Sequence, residues 1–169
     1  APGPSKIKGF EAELLARPID CLTLGLSYAY TDVEVPATPN PFLGNTLTQV
    51  YTVYTPENAY SAFIDFEAPV SFMDAEFRAH LDASYADEQY SFQSEDVLTD
   101  SSFVVNGSVA LANLKMPGSD SRATFRLWSR NLLDETHIYR RSAANAGTLG
   151  DYGNLNPPRT FGAELAIEF

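Results

Sequence analysis

The last ten residues of the chain alternate in polarity without a slip. One set holds Thr160, Gly162, Glu164, Ala166 and Glu168. The other set is apolar and consists of Phe161, Ala163, Leu165, Ile167 and Phe169. A two-residue period places these sets on opposite faces of a β-strand. Roughly ten residues is also the length at which a tilted strand crosses a membrane.

The same alternation recurs along the rest of the chain and predicts six further strands. No segment shows a sustained apolar period of 3.6 residues, so we expect no long helix. Phe63 is an exception, because it is apolar on an otherwise polar face. The predicted strands cover residues of about 9–16, 22–32, 59–67, 75–85, 103–112 and 122–133, ahead of the strand that starts at 160.

The connections between these strands alternate in length. Proline, glycine and aspartate mark short turns at 17–20, 68–73 and 117–121, whereas long polar segments fill 33–58, 86–100 and 141–156. Outer-membrane barrels have short periplasmic turns and long extracellular loops. Tyrosines near strand ends beside the long loops fit an aromatic girdle but are also common in soluble sheets, and they are Tyr28, Tyr30, Tyr85 and Tyr139.

Charge and cysteine content exclude several function classes. The chain has 11 Lys and Arg against 22 Asp and Glu, a net charge of −11, which argues against a nucleic-acid partner. One cysteine, Cys21, allows neither an intrachain disulfide nor a thiolate metal cluster. We expect no cofactor and no metal. The sequence also lacks a run of eighteen apolar residues, so it predicts no spanning helix.

Enzyme motifs are largely absent, and we expect no catalytic residues. The one tempting set is Arg78, His80, Asp82 and Ser84 on one face of the fourth strand. Residues two apart on a strand face lie about 7 Å apart, which is too far for direct bonding in that order. We therefore interpret the set as a polar ladder.

The polar strand faces carry charges that could pair across the last hairpin. An antiparallel register sets Arg122 near Glu168 and Arg126 near Glu164, and each such pair contributes about 0.2–1 kcal/mol. We predict that this face lines a wet interior, where its residues have a structural role or line a substrate path. Its residues are Arg78, His80, Asp82, Arg122, Arg126, Arg130, Glu164 and Glu168.

Two motifs resemble those of a known family. The segment 157–162 (PPRTFG) before an alternating strand with a terminal Phe looks like the last strand of TonB-dependent outer-membrane receptors. About twenty-five residues earlier, 131–139 (NLLDETHIY) is similar to the family's Asn-Leu-x-Asp-x-x-x-x-Tyr segment, which ends the penultimate strand. The resemblance implies an all-β, antiparallel up-and-down transmembrane barrel of twenty-two strands with a plug. Residues 1–169 would be about seven C-terminal strands of it, without the plug or the TonB-contacting segment.

By the same resemblance, the whole protein imports a scarce nutrient across the Gram-negative outer membrane. The nutrient would be a siderophore, a vitamin or an oligosaccharide. The implied partners are outer-membrane lipid, the protein's own plug, TonB acting through the plug, and the extracellular ligand. Ligand contacts are expected in the long loops, from Tyr90, Phe92, Arg140, Arg141, Asn145 and Tyr152, although a solvated loop explains each of them equally well.

Two other classes remain open. An outer-membrane barrel of another kind, such as an adhesin or a barrel enzyme, would share the strand pattern. A soluble β-sandwich or lipocalin-like binding protein would instead bury the apolar face that carries Leu22, Phe77, Phe125 and Leu165 inside the protein.

Overall fold

The chain folds into one antiparallel sheet of seven long strands with two small hairpins beside it. The computed structural model describes residues 3–71, 74–143 and 147–169. The sheet has the order β1-β2-β5-β6-β7-β8-β11, and the hairpins are β3-β4 and β9-β10. The strands are β1 (Lys6–Ile19), β2 (Leu22–Glu34), β3 (Thr38–Asn40), β4 (Thr46–Thr48), β5 (Asn58–Val70), β6 (Ala75–Ala86), β7 (Ser102–Lys115), β8 (Arg122–Arg130), β9 (Ile138–Ser142), β10 (Tyr152–Leu155) and β11 (Thr160–Glu168).

Each long strand pairs with the long strand that follows it in the chain, so the sheet is an up-and-down meander. The prediction of an all-β fold with seven main antiparallel strands is confirmed. The strands have 9 to 14 residues. The helical element whose residues are all described is one 3-10 turn, Pro41–Leu43. None of the described helices is long or apolar enough to cross a membrane.

Short and long connections lie at opposite ends of the sheet. Residues 20–21, 71–74 and 116–121 join strands at one end, which we call the turn end. Residues 35–57, 87–101 and 131–159 join them at the other, the loop end. Because consecutive strands are antiparallel, alternate connections must fall at the same end. The predicted asymmetry in connection length is therefore confirmed.

The strand register brings apolar residues from all seven strands together on one face. Directly opposed residues point to the same side of a sheet. Leu24 opposes Ile64, and Ile64 opposes Leu81. Across the other half, Val109 opposes Leu127, which in turn opposes Ala163. We call this surface the apolar face and its opposite the polar face.

An aromatic row crosses the apolar face near the loop end. Phe10 packs edge-on against Tyr28 with ring centroids 5.3 Å apart, and Tyr28 stacks on Tyr60 at 4.6 Å. Tyr60 meets Tyr85 at 5.8 Å, and Tyr85 lies opposite Phe103. Tyr28 and Tyr85 therefore occupy the predicted position at strand ends beside the long loops.

The apolar face has no second layer to cover it within the described residues. The buried apolar side chains are small and few, namely Ala75, Val105 and Ala112. Phe125 is 43% exposed and Leu165 is 68% exposed. The sheet thus buries little of its apolar surface against its own chain, unlike the inner face of a sandwich.

Glycines on the polar face make room for aromatic rings from the neighbouring strand. A Cβ added to Gly25 would lie 2.0 Å from the ring of Phe63, directly opposite on β5. A Cβ on Gly162 would lie 2.6 Å from the ring of Trp128 on β8. The exceptional position of Phe63 is explained by this packing, which covers the bare glycine backbone.

The sheet is open in this structure. It begins at β1 and ends at β11, and in the described ranges each of these two strands has one neighbour. An open edge leaves backbone N–H and C=O groups without a β partner. The structure thus shows a meander with two free edges among the described residues.

The segment before the last strand differs from the prediction. β8 ends at Arg130 instead of continuing to about residue 133, because Asn131 has φ +50° and Asp134 has φ +56°. Asn and Asp tolerate this left-handed conformation, which breaks a strand. Tyr139 lies in β9, beside the main sheet, so its predicted place at the end of a main strand is wrong.

Candidate functional site

The polar face carries a cluster of charged side chains at its centre. Arg78 Nη2 lies 2.6 Å from Glu76 Oε2, and Arg78 Nε lies 3.8 Å from Glu67 Oε1. The Arg78 side chain is 47% exposed, so both pairs lie within reach of solvent and contribute little stability. They fix the guanidinium between two acids on neighbouring strands.

His80 lies between two carboxylates. Its Nδ1 is 2.6 Å from Asp65 Oδ1, and its Nε2 is 3.2 Å from Asp82 Oδ1. The expectation that residues two apart are too distant to bond is wrong for His80 and Asp82. Side chains lean along the strand, and this shortens the gap between their polar atoms.

The same contacts leave no free ring nitrogen for a serine. Ser84 opposes Ser61 and Val104 on the neighbouring strands. Ser108 opposes His80, but its hydroxyl accepts a hydrogen bond from Arg126 at 3.2 Å. A nucleophilic serine needs an adjacent base that can take its proton. The described geometry does not provide one at His80.

The predicted register of the last hairpin is confirmed. Glu164 opposes Arg126, and Glu168 opposes Arg122. Arg126 Nη1 is 4.0 Å from Glu164 Oε2, whereas Arg122 donates to the backbone carbonyl of Asn113 at 3.1 Å. Arg130, also on the polar face, has its guanidinium 5.6 Å from the Trp128 ring centroid, which is a cation–π distance.

Two shallow cavities adjoin on the polar face. They have volumes of about 340 and 320 Å³ and share His80, Ser108, Arg126 and Glu164. Asp65, Glu67 and Arg78 line the first, and Asp82 and Asn106 line the second. Acids, bases, an amide and a hydroxyl therefore meet at one surface. This surface suits a polar occupant that both donates and accepts hydrogen bonds.

The three long loops pack against one another at the loop end. Tyr51 of the first loop contacts Tyr90 of the second, with ring centroids 4.1 Å apart, and Val53 forms a β-bridge with Tyr90. Arg140 of the third loop places its guanidinium 5.0 Å from the ring of Phe92 in the second. These contacts make a continuous cap of loops.

The loop residues proposed as ligand contacts therefore bond mainly to other loop residues. Arg141 Nη2 is 3.7 Å from Asp151 Oδ2, and its backbone N–H donates to Ser91 Oγ at 3.0 Å. Tyr152 lies opposite Ser142 in the β9-β10 hairpin and is 45% exposed. Asn145 lies outside the described residues.

The pKa values of Tyr90 and Asp87 at the loop end are shifted in opposite directions. Burial raises the pKa of Tyr90, and nearby Asp96, which accepts from the hydroxyl, raises it further. Hydrogen bonds from Asn58 lower the pKa of Asp87; they come from its side chain at 2.6 Å and its backbone N–H at 3.0 Å. Asp87 thus joins the start of β5 to the end of β6 as a carboxylate.

The two motifs of the sequence contact each other in space. Asn131, which is 4% exposed, donates through its side chain to the carbonyls of Glu135 at 2.8 Å and Pro157 at 3.1 Å. Asp134 accepts from the backbone N–H of Arg159 at 3.0 Å. These bonds tie the segment after β8 to the segment before β11, which accounts physically for the pairing of the two motifs.

Sequence reasoning missed Asp65, Asn106, Tyr51 and Trp128. Asp65 and Asn106 could have been found by extending the strand register from the last hairpin to the whole sheet, because both oppose members of the polar ladder. Tyr51 carried no comparable signal, since its partner Tyr90 is in a different loop.

No group of three or more His, Cys, Asp or Glu side chains among residues 3–71, 74–143 and 147–169 is arranged to hold a metal ion. In comparisons with known proteins, no family model, no curated protein sequence and no solved structure matches the chain.

Proposed function

We propose that the seven-stranded sheet is part of an outer-membrane β-barrel whose apolar face contacts lipid. The observation that carries this proposal is the continuity of the apolar face across all seven strands together with its exposure. In a membrane such a face needs no second protein layer, because lipid chains cover it. The aromatic row at the loop end has the position of an interfacial girdle.

The open edges support a larger barrel. Lipid offers no hydrogen-bond partner for the outer sides of β1 and β11, so both need further strands. Further strands would close the sheet around the polar face, which would then line a wet interior. The resemblance implies twenty-two strands in the whole barrel, which is large enough to enclose a plug.

We further propose that the protein is a TonB-dependent receptor that imports a scarce nutrient through this barrel. The motifs at 131–139 and 157–162, and the contacts between them, support this class over an adhesin or a barrel enzyme. The cap of loops would face the outside and meet the ligand, a siderophore, a vitamin or an oligosaccharide. The plug would lie against the polar face, and TonB would act through the plug.

A soluble sandwich or lipocalin-like protein is the second candidate. It requires the apolar face to be covered by protein, and in the described chain Leu165 and Phe125 are not covered. That candidate therefore depends on a second layer from elsewhere.

Cell fractionation of the full-length protein tests the proposal. We expect recovery in the Gram-negative outer-membrane fraction and, for an intact barrel, faster electrophoretic migration before boiling than after. Deletion of its gene should abolish growth on one nutrient of these classes, and loss of TonB should produce the same defect. Recovery in the soluble fraction would contradict the barrel, whereas an outer-membrane protein with TonB-independent uptake would contradict only the receptor class.

A further inference from the structure

An unbroken series of hydrogen bonds runs from the centre of the polar face to the third loop, residues 131–159. It begins with Asp65 and His80 at 2.6 Å and continues from His80 to Asp82 at 3.2 Å. Asn106 Nδ2 then donates to Asp82 Oδ2 at 2.8 Å, and the backbone N–H of Asn131 donates to Asn106 Oδ1 at 3.0 Å. Three strands, β5, β6 and β7, and one loop thus share a single bonded series.

We propose that this series is a relay that couples the state of His80 on the polar face to the order of the third loop. It concerns contacts within one sheet and goes beyond the proposed function, because it does not depend on what covers the apolar face. Asn106 and Asn131 are its positioning residues.

The side-chain amide of Asn106 gives the relay a fixed order of donor and acceptor. Its amide nitrogen can only donate and its amide oxygen can only accept. The nitrogen is committed to Asp82 and the oxygen to Asn131. If Asp82 turns away, the Asn106 side chain loses the acceptor that fixes its orientation, and the acceptor for Asn131 is released with it.

One end of the relay is exposed and can respond to a change in its surroundings. The other end is buried, so water cannot replace a hydrogen bond that is lost there. The side chains of Asp65, His80 and Asp82 are 43%, 40% and 36% exposed. Asn131 is only 4% exposed. A buried polar group that loses its hydrogen-bond partner destabilises the fold by its full desolvation free energy. A change at the exposed end therefore has its largest structural effect at the loop.

His80 is suited to act as the input. Only an imidazolium can donate from both nitrogens, so the neutral ring loses one of its two carboxylate contacts. A change in the charge of His80 also changes the electrostatic potential at the other groups that line the same cavities. The charged side chains that line these cavities with it are Asp65 and Glu67 from β5, Arg78 and Asp82 from β6, Arg126 and Arg130 from β8 and Glu164 from β11, whereas β7 contributes the uncharged Asn106 and Ser108.

The third loop offers two direct reporters. The backbone N–H of Glu135 donates to Asn131 Oδ1 at 2.9 Å. The backbone N–H of His137 donates to Asn156 Oδ1 at 2.9 Å, and Asn156 in turn donates to the Glu135 carbonyl at 3.0 Å. Loosening of Asn131 should therefore expose these two amides to exchange.

Amide hydrogen exchange in the full-length protein tests the relay. The variants are His80→Ala, Asn106→Ala and the double variant. Each single variant should speed exchange at Glu135 and His137 by about twofold to tenfold, the loss of one hydrogen bond. The double variant should exchange no faster than Asn106→Ala alone. Ser27→Ala is the matched control, because Ser27 bonds Ser61 at 2.7 Å on the same face but outside the relay, and it should leave both amides unchanged.

Three results would overturn the proposal. The first is unchanged exchange at Glu135 and His137 in His80→Ala. The second is an effect of His80→Ala that persists in the Asn106→Ala background. The third is an equal effect from Ser27→Ala. If His80→Ala also loosens β2 and β5, the conservative variant His80→Gln is judged by the same criteria.

Discussion

Single residues set the local geometry of the polar face, and glycine is the plainest case. The rings of Phe63 and Trp128 occupy the space that side chains at 25 and 162 would need. The sequence marked Phe63 only as an exception, since the glycine that it covers is on another strand. Only the register of the whole sheet shows that the Phe63 ring lies over this glycine.

Gly25→Ala should lower the free energy of unfolding by about 1–3 kcal/mol, because its Cβ would overlap the Phe63 ring. Denaturant unfolding in detergent measures the change. In the Phe63→Ala background, Gly25→Ala should lower the free energy of unfolding by less than it does in the wild-type protein. Gly147→Ala, where the added Cβ meets nothing within 4 Å, is the control. Equal effects at 25 and 147 would contradict the packing.

Asn131→Ala should destabilise the protein by about 1–3 kcal/mol, since it removes the hydrogen bonds that the buried Asn131 side chain donates to two carbonyls and accepts from the Glu135 N–H. Thermal unfolding in detergent gives the comparison. Asn154→Ala, an exposed asparagine in the same loop, should change stability little. A neutral Asn131→Ala would show that the contact between the two motifs has no energetic role.

The shifted pKa of Asp87 predicts a pH dependence. Its folded-state pKa is lowered, so the carboxylate stabilises the fold above the pKa of the unfolded chain and loses this effect as the pH falls through the folded value. Wild type should therefore exceed Asp87→Asn in unfolding midpoint at pH 7, and the gap should shrink below about pH 4. Asp120→Asn in the 116–121 turn is the control. A gap that is constant with pH would refute the assignment.

At the scale of elements, alternation predicted the long strands well. Their side chains follow a two-residue period because each strand has two unlike faces. The hairpins β3-β4 and β9-β10 were not predicted, since strands of 3 to 5 residues among prolines and glycines carry no period. The link between His80 and Asp82 was missed for another reason, namely that backbone spacing does not report side-chain lean.

Disulfide trapping tests the register of the last hairpin. Thr124 and Ala166 oppose each other on β8 and β11, so cysteines at both positions should cross-link on oxidation. The pair at 124 and 164 is shifted by two residues and should cross-link poorly. Both pairs are made in a Cys21→Ser background, and non-reducing electrophoresis detects the loop closed by the bond. Preferential cross-linking of 124 with 164 would mean that the register is wrong.

At the scale of the whole molecule, the seven-stranded main sheet has one apolar and one polar face. Such a sheet cannot bury its apolar face against itself, so its surroundings decide its stability. The sequence predicted both faces and the two unlike ends, because these follow from local patterns. What lies against each face depends on partners beyond the seven strands, and the proposed barrel supplies lipid on one side and water on the other.

Cysteine labelling of the full-length protein in membranes tests this account most directly. Phe125 and Leu165 oppose each other on the apolar face, and Arg126 and Glu164 oppose each other on the polar face. Cysteines at 125 and 165 should react with lipid-phase reagents and resist water-soluble ones, while cysteines at 126 and 164 should do the reverse. Shielding of 125 and 165 from both phases, with 126 and 164 freely labelled in the absence of a membrane, would contradict the barrel and indicate a soluble β-protein.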